Sequence, residues 1–323
     1  MQSTISITEL ANDVDEGLSS NPKYLNSKYF YDAIGSAIFQ KIMHMPEYYL
    51  TDCELEIFNQ QKKSIFQHLN LNDQAFDVVE LGAGDGLKTK ILLEYFLDQN
   101  PAIKYIPIDI SDEAVINLEK DLRRELPNLN VEGKIGDYFG MMEALNEIDT
   151  SPKVIMFLGS NIGNFNHQKS IDFLSHLGEV MNANDNLILG FDLKKDPDII
   201  MNAYNDPHGY TASFNLNLLR RINEELDGTF ELLKYEHFEL YDPQTGTAKS
   251  YLISKTEQSV KIGALEKIIH FKKWEPVFME MSQKYDEEMI QNLANEAGFE
   301  IIKNFTDDRQ YFINSIWKPK QIG

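Results

Sequence analysis

Five apolar runs punctuate the middle of the chain, at residues 78–81, 104–111, 130–135, 154–160 and 186–192, and amphipathic stretches separate them. Runs this short and this apolar read as strands buried inside a sheet, and their alternation with helical stretches predicts a parallel α/β arrangement over residues 60–193. Each run ends in polar or glycine-rich residues. In an open sheet of this kind ligands sit outside the carboxyl ends of the strands, so those ends are where the chemistry is sought.

The pattern differs on either side. Residues 1–59 read as helices joined by two aromatic-rich segments, 29–36 and 46–49. After Asp192 come helices over 194–225, then β-type alternation over 230–254 and 259–271, with a hairpin turn at 242–246 and a strand or strand-to-loop junction over 280–285. From Asp286 the core pattern resumes. A helix over 287–297 stops at Gly298, and runs 299–305 and 311–317 form a closing antiparallel pair. The expected division is one domain of residues 60–193 and 286–323 and a second, α+β domain of residues 1–59 and 194–285.

The first strand carries the most specific chemistry. It ends Glu80-Leu81-Gly82-Ala83-Gly84-Asp85-Gly86 and opens a helix at Lys88, a strand, glycine turn and helix start of the kind that brings backbone N–H groups close to a ligand. The spacing is not the G-x-G-x-x-G of dinucleotide sites. An acid at Glu80, just before the first glycine, would repel a pyrophosphate but suits a positively charged sulfonium. The loop therefore favours S-adenosylmethionine over NAD, with an unliganded tight turn as the plain alternative. Asp109 closes the second strand 109 − 86 = 23 residues after the last loop glycine, where an acid can bond ribose hydroxyls. Asp137 and Tyr138 follow the third strand and suit an adenine, the acid for its amine and the ring for stacking. The closing antiparallel pair is usual in methyltransferase sheets and unusual in dehydrogenases.

Composition narrows the field further. A chain of 323 residues with 42% hydrophobic residues can bury a large core. A net charge of −21 argues against nucleic acid, which requires a basic face. The single cysteine, Cys53, rules out an internal disulfide framework and any multi-cysteine metal site, and no metal is expected. No stretch approaches a membrane span and the first residues lack the features of a secretory signal. A cytoplasmic monomer acting on a small molecule is expected.

Taken together, the segments 29–36 with Phe39, 46–49 with Thr51, 80–89, 157–164, 192–196, Ala203-Tyr204, Phe214-Asn215 and Glu280-x-Ser282 resemble the histidine-specific methyltransferase family nearly end to end. These enzymes use S-adenosylmethionine to trimethylate the α-amine of L-histidine, giving hercynine in ergothioneine biosynthesis and releasing S-adenosylhomocysteine. The resemblance implies a Rossmann-like class I methyltransferase sheet and a separate substrate domain. Carried over residue by residue, it implies that Gly82, Lys88, Asp109, Asp137 and Tyr138 contact the cofactor, beside the loop residues Glu80 and Gly84. It implies that Asn164 and Tyr204 hold the substrate carboxylate, that Tyr31 and Gly159 lie beside the reacting amine, and that Tyr48, Glu280 and Ser282 face the imidazole.

Two positions depart from the family pattern. Ser250 stands where relatives carry a methionine packed on the imidazole, and so is expected to leave room. Asn161 stands where they carry threonine, which brings an amide toward the amine pocket. The family also includes a fungal branch acting on a prenylated tryptophan, so N-methylation of another amino acid is the alternative. A catalytically idle cofactor-binding sensor is the reading from a different class.

Overall fold

In the computed structural model residues 7–71, 74–109, 112–136, 140, 142 and 151–320 are described. They fall into two compact units. Leu50–Lys194 with Gln283–Gly323 make up the first, and Ile5–Tyr49 with Lys195–Ser282 the second. The helix Tyr49–Leu69 thus passes almost whole into the first unit, rather than being cut near residue 60. Its apolar face, Leu50, Cys53, Ile57, Phe58 and Ile65, is buried, and dividing such a helix would strand half of that face in water.

The first unit is built on one twisted sheet. Its strand order is Phe299–Thr306, Phe312–Pro319, Asn186–Asp192, Lys153–Phe157, Asp77–Leu81, Lys104–Asp109, Asn130–Val131, with Lys134–Ile135 also pairing Lys104–Asp109. Strands 77–81, 104–109, 153–157 and 186–192 run parallel, and Phe312–Pro319 joins antiparallel to Asn186–Asp192 and to Phe299–Thr306. Every residue of Asp77–Leu81, Lys153–Phe157 and Asn186–Asp192 is buried, as the apolar runs require. The core packs Val79, Ile106, Ile155 and Leu189 with Leu174, Leu177, Phe299 and Trp317. This is the class I methyltransferase sheet with its closing antiparallel hairpin.

The third apolar run departs from expectation. Instead of one strand over 130–135 there are two dipeptide strands, because Gly133 draws the backbone against the helix Asp112–Glu125. Its N–H donates to Glu119 Oε1 at 2.5 Å, and a Cβ there would stand 2.3 Å from Val115 Cγ1.

In the second unit a four-stranded sheet orders Lys23–Tyr24, Pro276–Gln283, Thr247–Ser254 and Tyr235–Asp242. Tyr235–Asp242 and Thr247–Ser254 form the hairpin expected around 242–246, pairing Glu239 with Ser250. The helix Tyr210–Leu226 lays Phe214, Leu218, Leu219 and Ile222 on this sheet against Leu252, Val277 and Met279. The strand expected over 280–285 begins earlier, at Pro276, and stops at Gln283. Beyond it the chain belongs to the first unit, within which Tyr285 bridges Leu193 and the ammonium of Lys284 pairs with Asp192 at 2.8 Å, both side chains fully buried. No described helix is long and apolar enough to cross a membrane.

Candidate functional site

At the carboxyl end of Asp77–Leu81, Gly82, Gly84 and Gly86 all take positive φ, at 72°, 56° and 65°. A Cβ on Gly86 would stand 2.5 Å from Leu118 Cδ1, whereas one on Gly84 would meet nothing within 4 Å. Gly86 is thus required by close packing and Gly84 by its backbone angle, and no atom of the described residues packs against the position a Gly84 Cβ would take. Asp109 ends the neighbouring strand, half-buried. Asp137 and Tyr138, expected on the adenine, lie outside the described residues.

Glu80, expected beside the cofactor, has two close partners within the protein. It is 3% exposed, and its two oxygens accept hydrogen bonds from the Thr89 hydroxyl at 2.6 Å and the Tyr105 hydroxyl at 2.5 Å. Burial pushes its pKa up to about 7, against the pull of those two bonds and of the Lys88 charge. The carboxyl therefore ties the loop to the helix Thr89–Gln99 and to the next strand.

The fourth strand leads into two consecutive left-handed residues, Gly159 (φ 71°) and Ser160 (φ 59°), and a 3-10 turn, Asn161–Asn164. The Ser160 hydroxyl accepts the Asp192 N–H at 3.0 Å, which pins this turn to the fifth strand. Asn161 is half-buried and Asn164 exposed. The Lys88 ammonium lies 3.1 Å from where a Gly159 Cβ would stand, so the two expected site positions are neighbours. Between them sits a residue that sequence reasoning passed over. Glu54, 0% exposed, accepts from Lys88 Nζ at 2.5 Å, from Asn314 Nδ2 at 2.7 Å and from the Gly159 N–H at 3.0 Å. The available signal was an acid within the apolar helical series 50, 53, 57, 58.

The second unit gathers most of the positions expected to meet substrate. Tyr204, at the end of the helix Pro197–Tyr204, has its hydroxyl 3.1 Å from Ser282 Oγ. Its ring stands edge-on to Tyr48 at 6.3 Å; Tyr48 contacts Phe39 at 6.3 Å, and Phe39 contacts Tyr31 at 5.4 Å. Glu280 is half-buried two residues before Ser282 on the strand Pro276–Gln283.

Ser250 also belongs to this cluster. Its hydroxyl accepts from Asn215 Nδ2, the same amide nitrogen that faces His237 Nδ1 at 2.9 Å. His237 Nε2 lies 3.0 Å from the Tyr204 carbonyl, which can only accept, so Nε2 carries the hydrogen and Nδ1 receives the amide. Burial lowers the His237 pKa, against the bond to Tyr204, and keeps this neutral tautomer. A line of hydrogen bonds thus runs from Ser250 to the Tyr204 backbone. His237 was missed because a histidine on an alternating strand carries no signal by itself.

The model of the family described as SAM-dependent, histidine-specific methyltransferase matches residues 10–319. The histidine N-alpha-methyltransferase of Mycolicibacterium smegmatis is 33% identical over 299 residues, 92% of this chain and 91% of that protein. The ergothioneine biosynthesis protein 1 of Schizosaccharomyces pombe is 27% identical over 287 residues, 87% of this chain and 37% of that protein. An L-tryptophan methyltransferase of Psilocybe serbica is 27% identical over 316 residues, 90% of this chain and 86% of that one. With a family match spanning nearly its whole length, on a sheet whose first loop has the glycine geometry such enzymes need, this chain belongs to the SAM-dependent, histidine-specific methyltransferases.

Proposed function

We propose that the protein transfers methyl groups from S-adenosylmethionine to the α-amine of L-histidine, giving Nα-trimethylhistidine. The observation that carries the reading to an amino-acid substrate is the Tyr204–Ser282 hydroxyl pair with Tyr48 against it. It is a small polar group set in aromatic walls, as an imidazole with a charged tail requires.

When bound, S-adenosylmethionine supplies a methyl group on a sulfonium. The residues suited to hold it are the Gly82–Gly84 backbone, the ammonium of Lys88 toward its carboxylate and Asp109 toward its ribose. Transfer to an amine is an in-line displacement, so alignment supplies much of the catalysis, up to ~7–11 kcal/mol in favourable cases. Tyr204 and Asn164, the positions that the family resemblance gives to the substrate carboxylate, are neutral donors, so neither sets a cation beside a sulfonium. Tyr31, 42% exposed, has access to water and can pass on the proton that the amine must lose. Gly159 and Asn161 flank the amine, and Glu280 accepts the imidazole N–H. The family resemblance gives the adenine side to Asp137 and Tyr138, which lie outside the described residues.

Tyr204→Phe and Asn164→Ala test the reading. Each removes a donor to a charged acceptor, worth ~1.5–3 kcal/mol, so the Michaelis constant for histidine is expected to rise about 10- to 150-fold while cofactor affinity holds. Unchanged Michaelis constants in both variants would move the substrate elsewhere.

A further inference from the structure

Glu54 is a carboxylate with 0% exposure inside the first unit. Such a charge is costly to bury unless several donors converge on it, and here three do, from three separate parts of the chain. Lys88 Nζ comes from the end of the glycine loop, the Gly159 N–H from the left-handed turn after the fourth strand, and Asn314 Nδ2 from the strand Phe312–Pro319. The sheet makes space for it at Gly190, where a Cβ would stand 2.8 Å from Glu54 Oε1 and 3.2 Å from the Gly159 nitrogen.

Lys88 is otherwise a flexible four-carbon stem with a point charge at its end. An ammonium has three donors, and one of Lys88's points at Glu54. We propose that Glu54 is a positioning residue for methyl transfer: by fixing both the Lys88 ammonium and the Gly159 turn, it presents that ammonium, already oriented, to the carboxylate end of the cofactor. The proposal rests on the reading of the first unit as the cofactor site. It adds that the loop does not suffice for binding and that a helix outside the glycine motif sets its geometry.

Calorimetric titration of S-adenosylhomocysteine into the parent protein, Glu54→Gln, Lys88→Met and the double variant tests it. Glu54→Gln removes the charge and brings an N–H among three donors, so the ammonium loses its anchor. Affinity is expected to weaken about tenfold, the scale of one charge-assisted hydrogen bond. Added to Lys88→Met, the same change should alter affinity less than about twofold, because the group it positions is gone. Thermal midpoints are read alongside. A Glu54 that only stabilises the fold would lower the midpoint and leave the affinity of the folded protein at the parental value or tighter, which overturns the proposal. If Glu54→Gln does not fold, Glu54→Asp takes its place. That variant keeps the charge but withdraws it by one methylene, with the same expected loss and the same overturning result. A Lys88→Met variant that binds as the parent does overturns the cofactor reading and the proposal together. Loss in Lys88→Met without loss in Glu54→Gln overturns the proposal alone.

Discussion

Glu80 illustrates how a motif residue can be recognised from its spacing while its partners stay out of sight. Its position before the glycines marks a sulfonium-type loop, and in the fold its two oxygens accept from the Thr89 and Tyr105 hydroxyls. Spacing along the chain records that an acid is present, not which way it turns. Burial raises its pKa from 4.5 to about 7. The folded protein therefore holds this proton more tightly than the unfolded chain does. Glu80's contribution is most favourable below pH 4.5 and declines as pH rises through the window to about 7. The span corresponds to about 3 kcal/mol. Urea unfolding of the parent and of Glu80→Gln across that window should show the parent losing stability relative to the variant as pH rises. Curves that stay parallel would mean that the carboxyl ionises normally.

At the scale of elements, the strands and helices followed closely from apolar periodicity, because a parallel strand buried on both faces leaves a short continuous apolar run, set off here by the amphipathic helices between. The exceptions have local causes. The run 130–135 splits where Gly133 is drawn to Glu119, and Lys23–Tyr24 is too short to show any period, being held by its parallel pairing with Val277 and Phe278. Ser250 is an exception of another kind. Compared with a methionine it reads as a vacancy, but on the hairpin Tyr235–Asp242 and Thr247–Ser254 it accepts from the Asn215 amide that also bonds His237. Ser250→Met is therefore expected not to improve histidine binding. It strips a buried amide of an acceptor and adds bulk at a position only 7% exposed, and should lower unfolding free energy by about 1–3 kcal/mol in urea titration. A variant with parental stability and tighter histidine binding would restore the vacancy reading.

For the whole molecule, the positions singled out for cofactor and substrate are distributed over the two units. The first carries the glycine loop, Lys88, Asp109 and the Gly159 turn, and the second carries Tyr31, Tyr48, Tyr204, Glu280 and Ser282. The glycine loop was legible because its angles demand glycine. The residues proposed to meet substrate were singled out only through resemblance, since a tyrosine or serine on its own has no spacing signature. Glu54 and His237 stayed hidden because their roles exist only through partners far away in sequence. The methyl acceptor is proposed to be L-histidine. The decisive measurement is release of S-adenosylhomocysteine from S-adenosylmethionine across the twenty amino acids at equal concentration, with the product identified by mass spectrometry. L-histidine should be turned over fastest and end as its Nα-trimethyl form. Faster turnover of tryptophan or any other amino acid, with histidine near background, would contradict the account.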